Sequence, residues 1–203
     1  MIHSLPLSAP LLLLLLAFLV LIILVEVRVL TYAYRKVGVH PRYAFAVMLL
    51  SLVGSVVDIP LFAIAPAGRA SSPTVVALNV GGALIPILVS LYLLARTRMY
   101  MRMLIGTAVV AAVVHSLAEL VPGVGIAVPM IAPPLVAAGV ALLLAFRRAP
   151  PVAYVAGSMG TLIGADLLNL GQIARVGAPV VSIGGAGTFD GVFLTGILAG
   201  LLA

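Results

Sequence analysis

The chain of 203 residues is 64% hydrophobic and only 8% charged, with a mean hydropathy of +1.35. Soluble domains are about a quarter charged, so a water-soluble fold is excluded and the solvent must be lipid. Eleven basic residues against five acidic ones leave a net charge of +6, which reads as topology-setting loops rather than a nucleic-acid surface. The absence of cysteine removes disulfides, thiolate nucleophiles and cysteine metal sites together.

A spanning helix needs about 20 mostly apolar residues. Seven such stretches follow one another, at roughly 10–32, 43–65, 75–95, 103–121, 125–146, 152–172 and 178–203. The first opens on a leucine run at 11–16, with no basic residues before it and no small-residue cleavage site, and is expected to stay as a permanent helix. The expectation is an all-α polytopic fold, with residues 1–203 as a single membrane-embedded domain of seven transmembrane helices. Arg35, Lys36 and Arg42 follow the first stretch, Arg96, Arg98 and Arg102 the third, and Arg147 and Arg148 the fifth, while the intervening loops carry only Arg69 and Arg175. That alternation predicts a cell-membrane protein with its N-terminus outside and its C-terminus in the cytoplasm. Pro60, Pro86, Pro129, Pro133 and Pro134 lie inside the spans and read as kinks that shape packing. No internal repeat and no soluble domain is evident.

All five acidic residues, Glu26, Asp58, Glu119, Asp166 and Asp190, fall within the spans or at their ends. A carboxylate at mid-membrane costs at least ~2.5 kcal/mol, so each needs a partner, a water-filled cavity or a proton. Glu26, two residues before Arg28, is expected to snorkel to the inner surface, and Asp58 to pair with Arg69. His115 and Glu119 share a helical face at i,i+4 spacing. Only His3 and His40 remain as further imidazoles, in other regions, so no metal site is expected. No phosphate loop or other cofactor motif is present.

Asp166 and Asp190 stand apart. Gly157, Gly160 and Gly164 form a smooth stripe before Asp166, and Asn169 shares its face. The glycines of Ser182–Gly191 argue against an uninterrupted helix, so 179–187 is expected to be extended or re-entrant, with Thr188 capping a last helix and Asp190 in its first turn. Asp166 lies six residues before Gln172, ~9 Å below the outer surface at ~1.5 Å per residue, and Asp190 reaches a similar depth if its stretch folds back. Two such carboxyls share a proton and become one acid and one base, an arrangement that hydrolyses peptides. Asp166 and Asp190 are then the catalytic candidates, and Gly164, Asn169, Gly184, Gly185, Gly187 and Thr188 the groups that would receive a membrane-embedded peptide. The residues also fit a small ion-coupled transporter, where broken helices and bare carbonyls hold ions, or a scaffold in which the acids are fasteners. Lipid is the expected partner in every case.

Ile163–Leu170 and Ile183–Gly196 resemble the two signature stretches of a prokaryotic membrane family known only as domain of unknown function 1614. A more distant likeness is to the intramembrane aspartyl proteases, the presenilins, signal peptide peptidases and prepilin peptidases. Those carry one Asp on a helix and a second in a Gly-x-Gly-Asp motif opening the next core helix. By that likeness Asp166 would be the first catalytic acid and Asp190 the second, with Thr188 and Phe189 intervening after Gly185-Ala-Gly187.

Overall fold

The computed structural model describes residues 9–64, 73–121, 125–175, 178–185 and 191–203. Each of the seven apolar stretches contributes one α-helix: α1 (Ala9–Val37), α2 (Pro41–Gly54), α3 (Ile85–Thr97), α4 (Tyr100–Leu117), α5 (Ala132–Ala145), α6 (Ala149–Thr161) and α7 (Gly191–Leu202). Four apolar helical segments are long enough to cross a membrane, at Leu12–Val37, Val80–Thr97, Tyr100–Leu117 and Ala132–Gln172, whereas α2 and α7 are shorter.

The fold is not all-α. The second apolar stretch leaves its helix after Gly54 and continues as β1 (Asp58–Ile64), and the third begins as β2 (Thr74–Asn79) before turning helical. A third strand, β5 (Val180–Ile183), pairs with β2 in parallel, giving the order β1-β2-β5. β3 (Glu119–Val121) and β4 (Gly125–Ala127) form a separate hairpin. The hairpin also separates His115 from Glu119: α4 stops at Leu117 and Glu119 starts β3, so the expected shared helical face does not form. These strands arise where β-branched runs such as Val56-Val57 and Thr74-Val75-Val76 meet a helix-breaking neighbour, Pro60 in one case and Gly81-Gly82 in the other.

β1 is an edge strand with apolar side chains on both faces, Ile59, Leu61 and Phe62 all being exposed. Val80 N–H donates to the Val57 carbonyl, in register with the Asp58–Asn79 pair. By strand alternation, Asp58 and Pro60 then direct their backbone groups to the open edge. Pro60 has no N–H to offer there, which blunts the edge against further pairing.

α6 is the hub, with 152–158 buried without a break and α4, α5 and α7 packed around it. Small residues permit this. A Cβ on Gly157 would meet Thr195 and Ala199 of α7 at 3.2–3.3 Å, and one on Gly160 would meet Val110 of α4 at 2.6 Å. The expected smooth stripe therefore exists but serves two different neighbours. Ser158 Oγ sits over Gly196 of α7, and Tyr154 stacks at a tilt on Tyr34 of α1 with ring centroids 6.2 Å apart.

The hydroxyls of Tyr34, Ser51, Tyr154 and Ser158 face one another in this core without reaching hydrogen-bond geometry. Burying an unpaired hydroxyl is unfavourable by about 1–3 kcal/mol. Tyr154→Phe keeps the ring contact and deletes such a group, so thermal unfolding in detergent should show stability unchanged or raised by about 1 kcal/mol. A clear loss of stability would mean the hydroxyl is satisfied in solution.

Arg35, Lys36, Arg42, Arg96, Arg98, Arg102, Arg147 and Arg148 gather at one end of the bundle, whereas Arg175 ends the segment after α6. Lys36 Nζ at the end of α1 donates to the Leu201 carbonyl at 2.7 Å and caps the C-terminus of α7, where a cation also suits the helix dipole. Arg96 donates to the Gly38 carbonyl and to the Tyr92 hydroxyl. Tyr32, Tyr43, Tyr92 and Tyr100 are exposed near this end, as in an interfacial aromatic belt.

Candidate functional site

Two interruptions of helical geometry carry the site. α6 passes into a π-turn at Leu162–Asp166 and then a 3₁₀ segment, Leu167–Arg175, so Asp166 closes the π-turn. The change of pitch frees carbonyls, and Asn169 turns inward to satisfy them: its amide donates to the Gly164 and Ala165 carbonyls, both at 2.9 Å, and Gln172 donates to its oxygen. Asn169 is 3% exposed, so its side chain is spent on shaping the backbone beneath Asp166. Gly164 likewise faces α4, where a Cβ would lie 2.5 Å from the Ala111 carbonyl.

The second interruption follows β2. Val80–Leu84 is another π-turn, and Asn79 holds it. The Asn79 amide donates to the Ser55 carbonyl at 2.8 Å and to Asp58 Oδ1 at 3.0 Å, while its oxygen accepts from Gly82 N–H at 2.8 Å. Asp58 is thus engaged by Asn79; Arg69, its expected partner, lies outside the described residues. Gly81 lets the turn press on α2, since a Cβ there would sit 2.0 Å from the Ser51 carbonyl oxygen.

The two turns meet at Gly184. β5 runs beside β2, pairing Val75 with Val180 through Leu78 with Ile183, and ends in Gly184 and Gly185 with φ of 84° and 76°. Both are left-handed conformations that suit glycine. A Cβ on Gly184 would lie 2.6 Å from Ala83 in the first π-turn, and Gly184 N–H donates to Asp166 Oδ2 at 2.7 Å. The backbone before the last helix is extended through Ile183, as expected from its glycines. Asp166 therefore binds the turn that leads, six residues on, to Asp190; Asp190, Gly187 and Thr188 lie outside the described residues.

The parallel pairing exposes a correspondence that the residues alone do not announce. Val75-Val76-Ala77-Leu78 and Val180-Val181-Ser182-Ile183 each run into a glycine turn and then a helix, α3 and α7. The chain thus carries two strands of similar sequence that each precede a glycine-containing turn and a helix, although the first turn is π-helical and 186–190, before α7, lie outside the described residues.

Beside this site lies a cavity of about 280 Å³ between α1, α2, the Val80–Leu84 turn and α7, lined by Glu26, Ser51, Ser55, Gly81, Gly82 and Phe193 among others. Glu26 does not lie at the inner end as expected. α1 continues to Val37, putting Glu26 ~16 Å from that end, and helical side chains lean toward the helix N-terminus, here away from the basic end. Among the described residues no group of three His, Cys, Asp or Glu could hold a metal ion.

Sequence reasoning passed over Asn79 and placed Glu26 at the wrong depth. The signal for Asn79 was its place directly before Val-Gly-Gly, where an amide can cap a turn. No curated protein and no solved structure matches this chain. The family model described as "Protein of unknown function (DUF1614)" matches residues 20–202, nearly the whole chain, and the protein belongs to that family.

Proposed function

We propose that the protein is a compact intramembrane aspartyl hydrolase of the cell membrane, with its N-terminus outside, that cuts membrane-embedded peptides with Asp166 and Asp190. The observation that carries the reading is the bond from Gly184 N–H to Asp166 Oδ2, which joins the two motif stretches at one turn. Two carboxyls held close cannot both ionise, so one is an acid and one a base. The ionised carboxylate takes a proton from water, the resulting hydroxide adds to the scissile carbonyl, and the protonated carboxyl gives its proton to the leaving nitrogen. β5 is the outer strand of its sheet and leads directly into the Gly184 turn, so its free edge suits an extended peptide. The cavity lined by Phe193 and Glu26 borders the Val80–Leu84 turn, against which Gly184 packs, and offers room for a side chain.

The test is cleavage of a labelled transmembrane peptide in proteoliposomes. Asp166→Asn keeps an oxygen to accept from Gly184 N–H, so the fold should survive while the rate falls at least ~10²-fold. Asp190→Asn should do the same. Cleavage that persists in both variants sinks the reading.

A second reading, a small ion-coupled transporter, is favoured by the two similar strands that each precede a glycine-containing turn and a helix, since unwound backbone in paired segments is where transport sites form. Its test is uptake into proteoliposomes driven by a proton or sodium gradient, which the hydrolase reading does not require.

A further inference from the structure

The basic end of the bundle contains a cleft of about 510 Å³ between the α3–α4 turn and the α5–α6 turn, lined by Arg98, Arg102 and Arg148 together with Met99, Tyr100 and Met101. Arg98 and Arg102 come from one turn of the chain and Arg148 from another some fifty residues later, so the fold itself brings three guanidinium groups around one space. Among the described residues no acidic side chain lines it. Three like charges sharing a cleft repel one another, and nothing in its lining offsets them.

The backbone adds to the same field. α4 and α6 both begin at this place, with Met99 and Arg148 as their N-caps. Neither start has a side-chain cap or an acidic residue in its first turn. The start of α4 leaves N–H donors pointing outward, whereas α6 opens on Pro150 and Pro151 and adds only the partial positive charge of its N-terminus. Arg98 is also the one non-glycine residue with positive φ among the described residues, at 56°. That conformation is unfavourable for a side chain by ~1 kcal/mol or more, yet an arginine occupies it. Tyr100 and Met101 are 51% and 71% exposed beside the guanidiniums, so the cleft has a face that suits the junction of headgroups and acyl chains.

We propose that this cleft is a binding site for the phosphate of an anionic phospholipid headgroup. Guanidinium forks pair with phosphate oxygens in two-point geometry, and the open N–H groups at the start of α4 supply further donors to the same anion, whereas Pro150 and Pro151 leave the first turn of α6 without them. The lipid clamps together the starts of α4 and α6, the two helices whose far ends press Gly164 against Ala111 beside Asp166. The inference is independent of what chemistry occurs at Asp166.

Native mass spectrometry of the full chain released from nonionic detergent, with phosphatidylglycerol, cardiolipin or phosphatidylcholine added, tests it. Wild-type protein should retain the two anionic lipids and release phosphatidylcholine. Each arginine removed should weaken retention about five-fold, and Arg98→Gln, Arg102→Gln and Arg148→Gln together on the order of a hundred-fold. Arg98→Gly offers a variant that cannot fail through misfolding, because glycine relieves the positive φ; its thermal stability should hold or rise while lipid retention falls. Arg147→Gln removes the same charge from outside the cleft and should leave retention unchanged. Retention of all three lipids alike, equal weakening by Arg147→Gln, or displacement of the lipid by millimolar inorganic phosphate would each overturn the proposal, the last by identifying a soluble anion as the ligand.

Discussion

Gly164→Val is expected to destabilise the protein by about 3 kcal/mol or more, the upper range for overpacking a core. A side chain at this position meets no yielding group. Its Cβ would lie 2.5 Å from the Ala111 carbonyl oxygen and 2.9 Å from Val114 Cβ, so α4 must move away from the Leu162–Asp166 turn. The displacement would reach Asp166, two residues on, and with it the bond from Gly184 N–H. Gly139→Ala is the matched control, because nothing lies within 4 Å of a Cβ there. In a helix interior that change should leave stability unchanged or raise it by up to about 1 kcal/mol. Thermal unfolding of both variants in one detergent decides the matter. Equal midpoints for Gly164→Val and wild type would mean that α4 and α6 do not approach as closely as described.

The second large effect concerns Asn79, whose side chain is fully buried and makes three hydrogen bonds. Asn79→Leu keeps the branched shape, with bulkier methyl ends, and deletes all three, leaving Gly82 N–H and the Ser55 carbonyl to find other partners, and should cost about 3 kcal/mol. Asn79→Asp keeps the acceptor for Gly82 but loses both amide donations and sets a second carboxylate against Asp58. It should be at least as damaging as leucine. Adding Asp58→Asn to that variant supplies an amide from the other side, and the double variant should recover more than half of the loss. If Asn79→Leu changes stability by less than ~0.5 kcal/mol, Asn79 does not hold the Val80–Leu84 turn.

The membrane character, a helix in each of the seven apolar stretches, though only four helical segments are long enough to span, and the gathering of arginines at one end could be read from the sequence, because apolar length and charge alternation are properties of composition along the chain. The strands could not. An apolar run such as 43–65 gives the same hydropathy whether it is one helix or a helix followed by a strand, and periodicity does not separate the two when every side chain is apolar. The local markers were present in Val56-Val57-Asp58-Ile59-Pro60, but proline in a membrane span is equally at home as a kink. The extended backbone of Val180–Ile183 was legible because the glycines of 182–187 argue against a helix there, though 186 and 187 lie outside the described residues. Its partner was not, since the parallel register of Val75 with Val180 joins distant parts of the chain. Asn169 was expected beside Asp166 as a binding group; the pitch change from π to 3₁₀ that draws its amide inward has no sequence signature. Glu26 was misjudged for a simpler reason. Its depth depends on where α1 ends, and the helix runs on past the basic residues to Val37.

The parallel union of β2 with β5 also has a history in time. Ribosomes add ~5–20 residues each second, so β2 waits on the order of ten seconds between its own synthesis and that of the strand that covers its second side. β1 arrives just before β2 and can shield the first side at once. The other side presents a row of bare N–H and C=O groups until Val180–Ile183 emerge, a state that hydrocarbon tolerates poorly. Completion of this small sheet therefore waits until α3, α4, α5 and α6 have been made. Until then the half-made protein depends on whatever in the insertion machinery keeps that edge away from lipid and from other nascent chains.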